Sequence, residues 1–283
     1  MSAIDTEARA DKAEQLSPEA RAALADLILV LADTKRVLGL RYSDRMLGAP
    51  TLEAGIAASS MAQDEWGHGR LTYALLGAFG HEPKALEHDR PGAQYRSMPA
   101  LDRGFGSWSE MIAASLVLDT AVTVQYGALV GSRYAPAQNR VQKMLDEEGF
   151  HFQYAAGWTR RIAPVAAVRG ELAAAVAAYL PFALQWLGRE DAASTRALVD
   201  EGLVREGPDA LRARLLRRIG AVLASVGMAE EVGLTGSADG GWTFGGGAEW
   251  AGWSDATRRS GGELDEATAA RARGDKNRAM LLE

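Results

Sequence analysis

Residues 61–68 read Met61-Ala62-Gln63-Asp64-Glu65-Trp66-Gly67-His68, and residues 146–151 read Asp146-Glu147-Glu148-Gly149-Phe150-His151. Each stretch places a glutamate three residues before a histidine, and the two pairs use half of the chain's four histidines. On a helix such residues lie about 60° apart around the axis and one turn along it. A carboxylate oxygen and an imidazole nitrogen can then converge on one ion, and two such helices can hold two. Met61, Glu65, His68, Thr72, Leu75 and Phe79 share one helical face, and Val141, Leu145, Glu148, His151, Ala155, Trp158 and Ile162 share another. Both pairs therefore point at whatever these apolar stripes bury.

Working outward, the helices around the two motifs can be delimited. Ser17 is a candidate N-cap followed by Pro18 and Glu19, so a first helix should run to about Met46. The short turn Gly48-Ala49-Pro50 returns the chain into a second helix, about Thr51 to Phe79. From Gly80 to about Ser107, Pro83, Pro91 and Pro99 interrupt any apolar period, which predicts a long crossover without a helix. A third helix, Trp108 to about Ser132, meets a fourth, Ala137 to about Ile162, through Tyr134-Ala135-Pro136. Short, long, short is the loop pattern of a ferritin-like four-helix bundle, so the predicted fold is all-α.

Three further helical segments follow, from Pro164 to Trp186, Arg189 to Arg205 and Pro208 to Met228. The expected organisation is a helical domain over 17–232, with its core bundle in 17–162 and extra helices in 164–231. A Gly- and Trp-rich irregular tail over 233–283 follows, with Trp242, Trp250 and Trp253 as anchors and a frayed or disordered end after 263.

Composition narrows the chemistry. The absence of cysteine rules out disulfides, iron–sulfur clusters and thiolate ligands within the chain, leaving nitrogen and oxygen donors for any metal. A formal net charge of −6 gives no reason to expect nucleic acid or an acidic membrane surface as a partner. The N-terminus is polar and acidic through Gln15, and no uninterrupted apolar run approaches the roughly 20 residues that span a bilayer. The expected location is the cytoplasm.

Asp119 lies among Ile112, Ser115, Val122, Tyr126 and Val130 at helical spacing, where an unpaired carboxylate would cost several kcal/mol to bury. It needs a cation, and it fits the extra carboxylate that a di-iron bundle takes from a third helix. The first helix offers Leu24, Ile28, Leu31, Lys35, Leu38, Tyr42 and Met46 as its inward stripe, so Lys35 stands where a further carboxylate is expected. An ammonium cannot ligate a metal and a bound cation would repel it. Three arrangements are open: Lys35 pairs with Glu65 or Asp119 and replaces one metal charge, Asp33 serves as ligand from roughly 160° around the helix, or Lys35 snorkels to solvent.

Residues Met61 to His68, Asp146 to His151, and the Ser-x-Tyr-x-Pro motif from Ser132 to Pro136 resemble the phenylacetate-catabolism ferritin-like family. That family comprises the catalytic and structural large subunits of phenylacetyl-CoA epoxidase, and the resemblance covers about Leu31 to Ile162. It implies metal ligands at Glu65, His68, Asp119, Glu148 and His151, with Glu65, Glu148 and Lys35 as candidate catalytic residues. For the catalytic subunit it implies two iron ions, O₂ as oxidant, an aromatic acyl-CoA as substrate, a separate reductase, and a second ferritin-like subunit or a homo-oligomer. The departure at Lys35, where the catalytic member has a ligand glutamate, leaves five of six ligand positions. One ion or none is then expected as well as two, and a non-catalytic structural subunit stands as the alternative.

The remaining candidates read more simply. His81 and His88 are expected as solvated loop residues, Tyr126 as a packing residue, and Gln125 as a possible support for a metal ligand. Arg205, Arg212, Arg214, Arg217 and Arg218 are expected on a solvated helix face, although they could also meet phosphates. Gly245-Gly246-Gly247 lacks the lysine and flanking elements of a phosphate loop.

Overall fold

A computed structural model describes residues 11–281. Helix α1, Pro18–Arg45, begins as its sequence predicts, with the Ser17 hydroxyl accepting from the Ala20 N–H and Pro18 in the first turn. Helix α2, Leu52–Leu75, is capped by Thr51 in the same way and runs on as a 3₁₀ turn through Phe79. The two form an antiparallel hairpin, and α1 is buried along most of its length because further elements cover its other sides.

The crossover holds a helix that the proline spacing concealed. Helix α3, Pro83–His88, is six residues long, with Pro83 in its first turn and the Glu82 carboxylate accepting from the Lys84 N–H. A helix of less than two turns with a favourable start needs no apolar period, which is why periodicity missed it. Beyond α3 the crossover is tied to α1: the Met98 N–H donates to the Thr34 hydroxyl, and Arg90 and the Arg96 N–H donate to Asp33.

The third bundle helix is continuous but not uniform. Helix α4, Trp108–Ala114, passes through a π turn, Ser115–Asp119, into α5, Thr120–Gly127, so it ends earlier than the expected Ser132. Helix α6, Ala135–Ile162, completes the bundle with Pro136 in its first turn. These four long helical runs, with short, long and short connections, make the all-α ferritin-like bundle.

Helix α7, Ala166–Trp186, packs on α4 and the π turn and buries Leu172, Val176, Tyr179, Leu180 and Ala183. Among the described residues it is the one helix long and apolar enough, by length and composition, to cross a membrane. Helices α8, Ala193–Asp200, and α9, Pro208–Ser225, follow.

Residues 234–281 are more regular than their composition suggests. Strands β1, Leu234–Ser237, and β2, Gly241–Phe244, pair antiparallel with Leu234 opposite Phe244. Trp242 lies flat on α9 where Gly220 has no side chain; a Cβ there would stand 2.6 Å from the indole. Helix α10, Glu266–Arg273, is capped by Asp265 and tied back to the crossover, with Glu266 accepting from the Gly92 N–H at 2.6 Å and Arg273 donating to the Arg90 carbonyl at 2.7 Å. Helix α11, Asp275–Leu281, follows it. Hydrogen bonds to distant parts of the same chain order a segment that its own polarity would leave frayed.

Candidate functional site

Lys35 is the centre of the bundle. Its side chain is 0% exposed, and Nζ lies 2.9 Å from Glu65, 2.9 Å from Asp119 Oδ1 and 2.6 Å from Glu148 Oε1. The inward stripe of α1 carries it there, flanked by fully buried Leu31 and Leu38. Asp33 faces the other way and accepts from Arg90, Arg96 and Tyr73, so it stands apart from the cluster.

The two Glu-x-x-His pairs bring their four side chains inward from α2 and α6, as helical spacing requires. The π turn delivers Asp119 at its end, and Tyr42 on α1 donates to Asp119 Oδ2 at 3.0 Å. A π turn adds a residue to the helical ring and re-aims the side chains around it, so such turns recur at functional sites. Donor atoms of Glu65, Asp119, Glu148 and His151 lie within 4.8 Å of one another, all buried, a set that could hold a metal ion. His68 joins through Glu148, its Nδ1 standing 2.9 Å from Oε1.

Both histidines use their second nitrogen to reach the opposite helix. His68 Nε2 meets Glu147 on α6 at 2.8 Å, and His151 Nε2 meets Asp64 on α2 at 3.3 Å. Each outer partner is the residue immediately before a cluster glutamate, which makes the two bonds a crossed pair. Outer carboxylates of this kind orient an imidazole and fix its tautomer. Asp64 and Glu147 escaped the reading of the sequence; the repeated acidic residue before each Glu-x-x-His glutamate was the available signal. Thr123, one turn after Asp119, was missed too, and its hydroxyl lies 2.8 Å from Glu148 Oε2.

The charges are strongly interdependent. Burial opposes the Lys35 ammonium, but Asp119, Glu148 and Glu65 outweigh it and hold its pKa well above the usual lysine value. Burial, aided by the charge of Asp119, pushes Glu65 up to about 7 against the pull of Lys35. For Asp119, burial is overcome by Lys35 and by His151, and the carboxyl is held below its ordinary range. Burial also opposes protonation of His151, yet its bonds to Asp119 and Glu65 raise it to about 11. His68 is raised as well, the Glu148 hydrogen bond outweighing burial.

These contacts decide how a metal would fit. Carboxylates and imidazoles in this number suit a hard or borderline cation bound through oxygen and nitrogen. Lys35 Nζ, however, already stands among all three carboxylates as a protonated group, where a second cation would be repelled. With Lys35 in this position the donor set accommodates one central cation, and the chain itself provides it; a pair of ions does not fit.

The other candidates take ordinary places. His81 is exposed in the crossover, and His88 is half-buried with Nδ1 3.1 Å from the Arg273 carbonyl. The Tyr126 hydroxyl meets Thr72 at 2.8 Å, and Gln125 accepts from Arg258 at 2.8 Å. The arginines do not form one solvated face: Arg212 donates to the Leu184 carbonyl, and Arg205, Arg214 and Arg218 line a cavity.

Fold and site together define a ferritin-like bundle with a buried carboxylate–histidine centre. The chain belongs to the phenylacetic acid catabolic protein family, whose model matches residues 1–247 and thus runs through α9 and the β-hairpin. It is similar to one of the subunits of 1,2-phenylacetyl-CoA epoxidase from Escherichia coli (strain K12), with 25% identity over 145 residues. That match spans 50% of this chain and 58% of the relative.

Proposed function

We propose that the chain is a structural large subunit of a phenylacetyl-CoA-epoxidase-type complex, in which the Lys35 ammonium takes the place of metal at the centre of the bundle. The observation that carries this reading is the bonding of one Nζ to Glu65, Asp119 and Glu148 at 2.6–2.9 Å. Similarity to a relative that is itself one subunit of an epoxidase supports the assignment to a complex of several chains. A second ferritin-like subunit is then the direct partner, and the acyl-CoA substrate and the reductase belong to the assembly.

A second reading keeps the chain as the oxygenase subunit itself, and one observation favours it. Five ligand-type side chains remain buried, and both histidines retain outer carboxylates that would orient them toward a metal. In that case Glu65, His68, Asp119, Glu148 and His151 would hold iron, which supplies O₂ activation with electrons from a reductase. Lys35 would have to leave the position it holds.

Metal content per chain after anaerobic ferrous reconstitution separates the two. The structural reading expects near-zero iron in the parent protein and increased iron in Lys35→Glu. Stoichiometric iron in the parent, lost in His68→Ala and His151→Ala, would favour the oxygenase. A Lys35→Glu variant that gains no iron would sink the idea that Lys35 occupies a metal position.

A further inference from the structure

Thr123 separates the buried centre from a cavity of about 420 Å³ formed by α5, α6 and α9. One side of its hydroxyl meets Glu148; the other side of the residue lines the cavity, beside Val124, Val130 and Leu145. Arg205, Arg214 and Arg218 line the same space against a single carboxylate, Glu206. The combination is an apolar wall facing a cationic one.

The arginines are seated there by the backbone. A Cβ on Gly127 would stand 3.4 Å from Nη1 of Arg214, and one on Gly131 would stand 3.2 Å from Cδ of Arg205. Both guanidinium chains thus lie over bare backbone, which any larger residue would crowd. Arg214 is paired with Glu206. Half-buried Arg218 rests on the Phe152 ring at 4.5 Å, and among the described residues neither it nor Arg205 has a salt-bridge partner. A partly desolvated guanidinium without a counter-ion favours any anion delivered to it, most of all a planar carboxylate that it can hold through two N–H groups.

We propose that this cavity binds a small organic carboxylate with a compact apolar body, its carboxylate held by Arg205 and Arg218 and its body resting on Val124, Val130 and Leu145. Bare phosphate would leave the apolar wall uncovered, and a neutral aromatic molecule would leave the guanidinium groups without a counter-ion. The volume falls within the roughly 300–1,000 Å³ typical of small-molecule sites. The site lies outside the Lys35 cluster and does not depend on whether metal binds there.

The test is calorimetric titration of the full chain, with Lys35 intact, using benzoate, hexanoate, benzyl alcohol and inorganic phosphate. Benzoate and hexanoate should bind, and benzyl alcohol and phosphate should be at least about tenfold weaker, the scale of one charge-assisted hydrogen bond or more. Arg218→Gln and the exposed Arg205→Gln, each checked for native circular dichroism, should weaken benzoate by at least about tenfold. No binding of either acid, phosphate as tight as benzoate, or unchanged benzoate affinity in folded Arg205→Gln overturns the proposal. None of these outcomes alters the iron measurement, so the two readings fail separately.

Discussion

Two buried ionic clusters leave α1 in opposite directions from residues two apart. Asp33 is one carboxylate surrounded by donors: Tyr73 at 2.5 Å, Arg90 through both terminal nitrogens, and the Arg96 N–H at 2.8 Å. Lys35 is one ammonium surrounded by three carboxylates, with two histidines behind them. Both centres are buried and hydrogen-bonded, yet only the second carries more acid than its own lysine neutralises. The Asp33 cluster fastens the crossover to the hairpin and needs nothing further. Around Lys35 the surplus is met in part by the proton that His151 holds. Hydrogen-bond satisfaction and charge balance are separate properties of a buried site, and these two clusters differ in the second.

The largest effects should come from removing either central residue. Lys35→Met and Asp33→Leu should each cost about 3–5 kcal/mol, because each leaves buried groups of one sign uncompensated. Thermal unfolding with and without manganese should then divide them. Manganese should restore much of the loss in Lys35→Met and none in Asp33→Leu; equal rescue of both, or of neither, would erase the distinction. Asp33→Leu should in turn speed amide exchange over residues 90–98 more than Lys35→Met does.

Alkaline pH should act on the Lys35 side first. His151 has its folded-state pKa raised from 6.5 to about 11, so its contribution to stability is complete below pH 6.5 and is lost as pH rises through about 11. Glu65, raised to about 7, changes in the same direction, its contribution present below 4.5 and lost through about 7. Melting temperatures should therefore fall between pH 8 and 11, and His151→Gln should flatten that slope. A parent protein with no slope over this range would contradict the charge assignment.

Smaller effects sharpen the picture. Thr123→Val, which removes a buried donor to Glu148, should cost about 1–3 kcal/mol in chemical denaturation. Glu147→Gln should cost at most about 1 kcal/mol, because Glu147 is 34% exposed and solvent screens its bond to His68. A Glu147 variant as damaging as Thr123→Val would mean that the outer carboxylates hold the centre together.

Much of this molecule was legible in its sequence, for reasons that can be named. Caps such as Ser17 and Thr51, prolines in first turns and long apolar stripes locate the bundle helices and their connections. The same periodicity singled out Glu65, His68, Asp119, Glu148 and His151, which the structure brings together around Lys35. Short elements were not legible: α3 spans less than two turns, and α10 is ordered by partners some 170 residues away in the chain, as with Gly92 and Glu266. Neither was the π turn, because an extra residue in a helical ring leaves no local mark. The crossed bonds of Asp64 and Glu147 depend on the rotation of two helices relative to each other, which a single stripe does not define.

The burial of Lys35 also bears on how the chain is made. A charge built into the polypeptide arrives with every copy at the moment of synthesis, in a ratio no supply of minerals can change. On the structural-subunit reading proposed above, a fold completed in this way would mature equally in scarcity and in plenty and would be insensitive to chelators. On that same reading, the chain could stand beside an oxygen-activating partner for long periods without itself becoming a source of oxidants.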